Sequence, residues 1–438
     1  MLTVALVLVA VLLAAFATGM YVSMTLGWTA LVVGWLFSER PFMDILSNVP
    51  WNVMTNATLV ALPLFILMGE ILLRSGVTEG MYETLSKWTN RLPGGLLHTN
   101  IAASAMFACV SGSSAATAAT VGGVAIPFLR ARGYGEKLML GSIAAGGTLG
   151  ILIPPSIVMI VYGVLAEESI GRLYMAGIVP GLVLAFAFMA VILLLVRSDA
   201  AAAPAAISAT WRERLVGLGK LLPIGALILL VLGTIYAGVA TATEAAAFGV
   251  VGAIAITALN RRLSMAMLRD TFLATANTTA MIMLILICAF FLQFVVSFLG
   301  IPTALSSWVA SLNLSKLELV AAICLIYIVL GMFMESLSMV VITLPILLPM
   351  LKTMGIDLVW FGIIVVILVE MALITPPVGM NLFILQSIAE GPGVDRRKVI
   401  AALYGGIVPF LAAMVAVVVL LFIFPDLALW LPRTARGS

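Results

Sequence analysis

Charged residues are scarce in this chain of 438 residues, where they make up only 9% of the sequence. Hydrophobic residues account for 63%, and the mean hydropathy is +1.24. A soluble fold cannot bury that much apolar surface, so the composition excludes a soluble globular protein and predicts an all-α polytopic membrane protein. The net charge of +3 is too small to indicate binding to nucleic acid.

Residues that bind metals or act as nucleophiles are also rare. The three cysteines each lie inside an apolar run without metal-ligand spacing, so we interpret them as core residues. His98 is the single histidine, and the sequence has no HExxH or GxSxG motif. An intramembrane serine hydrolase built on Ser113 with His98 is therefore a weak alternative, and we predict that the chain is not an enzyme.

An internal repeat is the most informative feature of the sequence. A shift of 222 positions, without a gap, places Ser114 on Ser336 and Pro154 on Pro376. In each copy, an apolar segment interrupted by small polar residues precedes a second segment interrupted by a Pro-Pro pair. This pattern predicts two re-entrant helical hairpins and two broken transmembrane helices, an arrangement typical of the binding sites of secondary transporters.

The basic residues predict how the two copies are oriented. If the loop after the first hairpin lies in the cytoplasm, counting spans puts 16 of the 22 basic residues on that side and 6 on the other. The equivalent loop of the second copy then lies outside, so the halves are predicted to be inverted repeats. We expect residues 1–197 and 213–438 to form the two halves, residues 198–212 to link them, and both termini to lie outside.

Two segments, residues 78–91 and residues 302–314, are too short and too polar to cross the membrane. Each lies just before a predicted hairpin, so we interpret both as interfacial arm helices. Each half would then contain three spans, an arm helix, a hairpin, a broken helix and a closing span.

The polar residues at the breaks are candidate ligands for a cation. Unwound backbone carbonyls, together with Ser, Thr and Asn oxygens, can coordinate Na+, although small residues in membrane helices often serve close packing alone. Glu335 is interpreted as functional, whereas for Glu370 a structural role is an equal alternative. The predicted Na+ ligands are Ser111, Gly112, Ser113, Ser114, Gly147, Thr148 and Pro154 in the first copy, and Glu335, Ser336, Ser338, Thr375, Pro376, Gly379 and Asn381 in the second.

Four residues are candidate contacts for a transported substrate: Ser114, Pro155, Gln293 and Pro377. Three of them lie at the tip or at the Pro-Pro breaks. Gln293 is a lone amide in an apolar helix, where hydrogen bonding between helices is the alternative role.

These motifs resemble those of one transporter family, the large membrane subunit (the DctM-like M subunit) of tripartite ATP-independent periplasmic (TRAP) transporters. The stretches that carry the resemblance are SGSSAATAATVGGVAIP, GGTLGILIPPS, GMFMESLSMVVITLPILLP and ITPPVGMN. The resemblance implies an elevator-type transporter of the ion-transporter superfamily in the bacterial inner membrane. It also implies symport, in which Na+ as the coupling ion drives the uptake of an organic acid without an organic cofactor.

The resemblance further implies two protein partners. One is a small four-helix Q membrane subunit, and the other is a periplasmic substrate-binding protein, the P subunit. Because the chain begins directly in its first span, we expect the Q subunit to be a separate chain. A stand-alone ion-coupled anion carrier of a related inverted-repeat family is the alternative, since it would share the broken hairpins and work without a binding protein.

Overall fold

The fold is helical throughout the part of the chain that the structure describes. The structure is a computed structural model, and it describes residues 2–38, 45–199, 204, 209–312, 315–332, 334–376, 379–390 and 394–434. The regular elements within these ranges are twenty α-helices and one short 3-10 helix. This confirms the predicted all-α class.

The first ten helices belong to the predicted first half. In chain order they are α1 (Leu2–Ala17), α2 (Val22–Phe37), α3 (Ile45–Met54), α4 (Ala61–Arg74), α5 (Val77–Thr89), α6 (Leu96–Ser111), α7 (Ser114–Arg130), α8 (Glu136–Leu152), α9 (Ile157–Ala166) and α10 (Ile170–Ser198). The 3-10 helix Ala57–Val60 leads directly into α4. The short helix α3 was not predicted from the sequence.

The other ten helices belong to the predicted second half. They are α11 (Trp211–Tyr236), α12 (Ala242–Leu259), α13 (Met265–Phe298), α14 (Ile301–Ser311), α15 (Lys316–Gly331), α16 (Ser336–Thr353), α17 (Leu358–Leu373), α18 (Met380–Ala389), α19 (Arg396–Ile423) and α20 (Asp426–Thr434). Of the predicted linker, residues 198–212, the residues 200–203 and 205–208 lie outside the described part of the chain. The division into two halves and their inversion stay predictions.

Long apolar helices dominate the described residues. Eight helical segments are long and apolar enough to cross a membrane. Three of the helices, α11, α12 and α15, begin with a capping box, in which a Thr or Ser side chain and a Glu side chain satisfy backbone N–H groups at the helix start. The eight long apolar segments are those expected of a multi-pass membrane protein.

The two arm helices have counterparts in the structure. The short helix α5 lies just before α6, and α14 lies just before α15. Residues 313 and 314, at the end of the second predicted arm, lie outside the described residues. Both helices are too short to span about 30 Å of hydrocarbon at 1.5 Å per residue.

All four predicted interruptions occur between helices. Gly112 and Ser113 separate α6 from α7, and residues 153–156 separate α8 from α9. In the second half, the described residues 332, 334 and 335 precede α16, and the described residues 374–376 and 379 precede α18. Pro377, a predicted substrate contact, lies outside the described residues.

Two helices form the centre of the packed interior. The helix α17 is buried along its whole length, and α8 is buried from Leu138 to its end. Glycine allows α8 to approach α19 closely, since a Cβ atom placed on Gly141 would overlap the carbonyl oxygen of Gly406. The broken helices are therefore held at the core of the molecule, where hydrocarbon and water are both excluded.

Candidate functional site

The first hairpin turns sharply between α6 and α7. Gly112 adopts a left-handed conformation with a φ of 61° and ends α6. Ser113 then caps α7, because its hydroxyl accepts a hydrogen bond from the backbone N–H of Ala116 at 3.3 Å. A Cβ atom on Gly112 would lie 2.9 Å from the carbonyl oxygen of Pro155, so only glycine fits at this tip.

The tip of the first hairpin contacts the break between α8 and α9. The backbone N–H of Ile157 donates to the carbonyl oxygen of Gly112 at 3.4 Å. Gly150 makes room for the tip, since a Cβ atom there would lie 2.7 Å from the carbonyl oxygen of Ser113. The structure thus brings the predicted tip and the predicted break of the first copy together.

Hydrogen bonds within the first tip engage several of its oxygens. The carbonyl oxygen of Ser113 accepts from the backbone N–H of Thr117 at 3.0 Å and from its hydroxyl at 2.8 Å. The hydroxyls of Ser111 and Thr117 lie 2.9 Å apart. Thr117 was missed from the sequence, although its position three residues after Ser114 places it one turn along the same helix.

A buried chain of hydrogen bonds joins the two copies. The side-chain nitrogen of Asn381 donates to the hydroxyl oxygen of Ser114 at 2.7 Å. The Ser114 hydroxyl in turn donates to the carbonyl oxygen of Gly147 at 3.0 Å. The Asn381 side-chain oxygen is buried and has no hydrogen-bond partner in the described part of the chain. It is therefore an acceptor available to a ligand.

The second hairpin presents an acidic residue at its tip. Glu335 immediately precedes α16, and the Ser338 hydroxyl donates to its carboxylate at 3.0 Å. Its first backbone neighbours in the helix, Ser336 and Leu337, are buried. The carboxylate therefore lies at a helix N-terminus, where backbone N–H groups favour negative charge.

Both hairpin tips line a single cavity. It has a volume of about 80 Å³, and α9, α17 and α18 contribute apolar walls. This volume is a few times the roughly 30 Å³ that one water molecule occupies in the liquid. The residues of the two tips that line it are Gly112, Ser113, Ser114, Glu335 and Ser336.

Several predicted ligands lie apart from this cavity or bond elsewhere. The Thr148 hydroxyl donates to the carbonyl oxygen of Ala145 at 2.8 Å within α8, and the Thr375 hydroxyl, just after α17, donates to the carbonyl oxygen of Met371 in that helix at 2.6 Å. Gln293 lies on α13 and does not line the cavity. The remaining predicted residues at the breaks do not line the cavity either: Pro154, Pro155, Pro376 and Gly379.

The fully buried acid is Glu370, on α17. Its side chain is 0% exposed, and neither carboxylate oxygen has a hydrogen-bond partner by distance and angle in the described residues. The carboxyl group lies beside the backbone of Leu152, at the end of α8. Glu370 therefore adjoins the break of the first copy rather than the tip cavity.

The hydrolase alternative is contradicted by the position of His98. This residue lies in the first turn of α6, and its Nε2 atom is 2.9 Å from the carbonyl oxygen of Pro93. Ser113 lies beyond the other end of the same helix, about 20 Å away at 1.5 Å per residue. The two side chains do not form a catalytic pair. Among the described residues, no cluster of three or more His, Cys, Asp or Glu side chains is arranged to hold a metal ion.

Comparisons with known proteins identify the family. The model of the family described as "Tripartite ATP-independent periplasmic transporter, DctM component" matches residues 8–427. The C4-dicarboxylate TRAP transporter large permease protein DctM of Rhodobacter capsulatus is 34% identical over 98% of this chain and 99% of that protein. The sialic acid TRAP transporter large permease protein SiaM of Vibrio cholerae is 30% identical over 87% of this chain and 88% of that protein.

A solved structure shows a related fold. The crystal structure of the YdaH transporter of Alcanivorax borkumensis covers 93% of this chain and 98% of its own, with a TM-score of 0.57 and 15% sequence identity. That likeness concerns the fold alone. The family match extends over nearly the whole chain and confirms the resemblance that the motifs carried. The chain belongs to the DctM family, the large permease components of TRAP transporters.

Proposed function

We propose that this large permease takes up an organic acid by symport with Na+, with the cation held where the two hairpin tips meet. The observation that carries the proposal is the cavity shared by the tips of both hairpins. Helices interrupted inside a membrane release backbone groups that cost several kcal/mol each unless they are satisfied. Two such interruptions that face one cavity favour a binding site over a role in packing.

Two of the predicted ligands offer oxygen atoms of a type suited to Na+. Glu335 offers a carboxylate at the second tip, and Asn381 offers a buried side-chain oxygen without a hydrogen-bond partner in the described residues. A carboxylate at membrane depth is costly without a cation or a proton. Bound Na+ would offset this cost and neutralise the repulsion between the Glu335 carboxylate and an anionic substrate.

The first tip supplies a reason for Na+ to change the conformation of the protein. Its oxygens already accept hydrogen bonds from Thr117, so a cation that uses the Ser113 carbonyl must compete with these bonds. A ligand shifts an equilibrium between two states only when it binds one of them more tightly. At the tip, a state in which the Ser113 carbonyl is free to contact the cation would bind Na+ more tightly than the state in which it accepts hydrogen bonds from Thr117.

The proposed transport cycle is of the elevator type. The hairpins α6–α7 and α15–α16 and the broken helices α8–α9 and α17–α18 would move together against the other long helices. The mobile group would carry substrate between the two sides of the bacterial inner membrane. The inverted relation of the two halves that the sequence predicts would support the idea, because it would give the outward-facing and inward-facing states similar packing.

Two protein partners complete the proposal. A periplasmic substrate-binding protein would deliver the substrate, and a small four-helix Q subunit, as a separate chain, would pack beside this one. The relatives named for C4-dicarboxylate and sialic acid transport suggest a carboxylic acid as the substrate.

The test is uptake by proteoliposomes that contain this chain, the small subunit and the binding protein. An inward Na+ gradient is expected to drive the uptake of a labelled organic acid identified by its binding to the binding protein. Glu335→Gln is expected to raise the Na+ concentration needed for half-maximal uptake, whereas Glu318→Gln, at the exposed start of α15, serves as the matched control. Equal uptake with K+ in place of Na+ would refute sodium coupling. Uptake without the binding protein would favour the stand-alone carrier.

A further inference from the structure

A second cavity lies at the basic end of the molecule, where α4 ends, α11 begins and α12 ends. It has a volume of about 430 Å³ and is separate from the cavity between the hairpin tips. The polar and glycine residues that line it are Ser75, Gly76, Gly80, Gly219, Lys220, Asn260 and Arg262. The same end of these helices carries Arg74, Arg212 and Arg261 as well.

Defined contacts hold the walls of this cavity together. The side-chain nitrogen of Asn260, just after α12, donates to the carbonyl oxygen of Ser75, just after α4, at 3.2 Å. Gly76 has a φ of 73°, and a Cβ atom there would lie 3.5 Å from Nε of Arg262. The Arg262 guanidinium therefore lies over the backbone of the turn between α4 and α5.

The cavity carries positive charge that the protein does not neutralise. Arg262 forms no ion pair and no side-chain hydrogen bond within the described residues. The carboxylate of Glu79 also approaches Gly76, since its Oε2 atom would lie 3.7 Å from an added Cβ atom, but in the described residues it forms no ion pair with Arg262. Lys220 lies 2.7 Å from Glu83, but Glu83 also binds Lys87 at 2.9 Å. Two lysines thus share one carboxylate, and Arg262 adds a further charge.

A buried arginine on α11, the helix that carries Lys220, adds to this positive charge. Arg214 is only 3% exposed, and its Nε atom has no hydrogen-bond partner in the described part of the chain. Its guanidinium and that of Arg91 each lie 5.3 Å from the centre of the Trp211 ring. Both cations interact with an aromatic face instead of a carboxylate, so the region keeps an excess of positive potential.

Apolar side chains flank the cavity. Leu222, next to Pro223 in the lining, is 72% exposed, and Leu259, next to Asn260, is 78% exposed. Both lie on helices long and apolar enough to span a membrane, so these leucines are suited to contact with acyl chains. A polar, positively charged recess with apolar flanks matches the two parts of a phospholipid.

We infer that this cavity binds the headgroup of an anionic phospholipid, with the lipid phosphate near Arg262 and Lys220 and the acyl chains along α11 and α12. Basic recesses between membrane helices on the positively charged side are suited to such headgroups. Bound lipid would fix the turn between α4 and α5, and with it the start of the arm helix that leads into the first hairpin.

The experiment is a lipid titration of the purified full chain in detergent, followed by native mass spectrometry and thermal unfolding. The probes are dioleoyl phosphatidylglycerol, dioleoyl phosphatidylcholine and inorganic phosphate. We expect phosphatidylglycerol to bind about five-fold more tightly than phosphatidylcholine for each charge engaged. Arg262→Gln is expected to lose this preference, and Arg262→Lys is expected to keep most of it.

The control is Arg269→Gln, on the nearby helix α13. Arg269 does not line the cavity, so this variant is expected to keep the preference for phosphatidylglycerol. Because Arg262 is exposed, its substitution is expected to leave the chain folded, as judged by a monodisperse elution profile. Equal binding of the two lipids, or an unchanged preference in Arg262→Gln, would overturn the inference. Competition by millimolar phosphate would assign the site to a soluble anion, and loss of the preference when the small subunit is added would assign this face to a protein interface.

Discussion

At the scale of single residues, small side chains determine how closely the helices approach. Gly141 and Gly406 let the backbones of α8 and α19 meet, and a Cβ atom on Gly406 would overlap the carbonyl oxygen of Lys137. Not every glycine has this role. Gly123, in α7, has no atom within 4 Å of the position that a Cβ atom would occupy, so it can be replaced without a clash.

Replacing Gly141 by alanine is expected to destabilise the protein. The added methyl group would overlap the Gly406 carbonyl, and overpacking of this kind costs about 1–3 kcal/mol. The measurement is thermal unfolding in detergent, with Gly123→Ala as the control. The control is expected to be neutral or slightly stabilising, because alanine favours helix more than glycine. Equal destabilisation by the two substitutions would contradict this account of α8 and α19.

At the scale of elements, the first hairpin depends on the turn at Gly112. Two constraints act on that residue: a φ of 61° and the approach of the Pro155 carbonyl oxygen. Gly133, after α7, has a similar φ of 74° but no atom within 4 Å of an added Cβ. Alanine substitutions at Gly112 and Gly133 therefore distinguish the effect of backbone strain from the effect of contact with the helix break.

Gly112→Ala is expected to raise the Na+ concentration needed for half-maximal uptake, because the methyl group would push the tip away from the break of α8–α9. Gly133→Ala is expected to cost about 1 kcal/mol in stability from its left-handed conformation and to leave the Na+ requirement unchanged. Two measurements distinguish the variants: uptake in proteoliposomes at increasing Na+ concentration gives the Na+ requirement, and thermal unfolding gives the stability. The same Na+ requirement in both variants would argue against a cation at this tip.

An ion pair between Glu83 and Lys220 links the arm helix α5 to α11. Hydrogen bonds from Lys220 and Lys87 lower the pKa of Glu83 from 4.5 to about 2. Because folding lowers this pKa, the contribution to stability is complete above pH 4.5 and is lost as the pH falls toward 2. The side chain is about half exposed, so solvent screening keeps the contribution small.

Glu83→Gln is therefore expected to lower the stability by less than about 1 kcal/mol at pH 7. The difference from the unmodified protein should shrink as the pH is lowered, since protonation of Glu83 then has the same effect as the substitution. Glu79→Gln, on the same helix, is the control, because in the described residues Glu79 forms no ion pair with either lysine. A constant difference between pH 7 and pH 3 in thermal unfolding would contradict the role of the two lysines.

At the scale of the whole molecule, the order of helices and their breaks followed from the sequence, whereas the contacts between them did not. Apolar runs, glycine and proline are local signals, so the arm helices and all four interruptions could be predicted. The bond between Asn381 and Ser114 joins residues 267 positions apart, and no local pattern reveals which polar atoms meet across such a distance. The short helices α3 and α20 were also missed, because neither is a long apolar run.

A reversible cross-link can test whether the first hairpin moves against its arm. The hydroxyl oxygens of Thr89 in α5 and Thr99 in α6 lie 2.5 Å apart, close enough for a disulfide between cysteines at these positions. Gly94 and Gly95 lie between them with φ values of 100° and 44° and form the turn at which α6 would swing.

The double variant Thr89→Cys with Thr99→Cys is expected to lose uptake when oxidised and to regain it when reduced. The variant is built in a background in which Cys109, Cys288 and Cys324 are replaced by alanine. Thr89→Cys alone, treated with the same oxidant, is the control and should remain active. Full uptake by protein shown to be completely cross-linked would rule out a hinge between arm and hairpin.

The hydrogen bonds from Asn381 through Ser114 to Gly147 join the second broken helix to the first hairpin and to the first broken helix. If the proposed Na+ binds at both copies, occupancy at one place would alter the geometry at the other. Two such cations would not bind independently. Uptake plotted against Na+ concentration would then rise more steeply than a hyperbola, with a Hill coefficient above one.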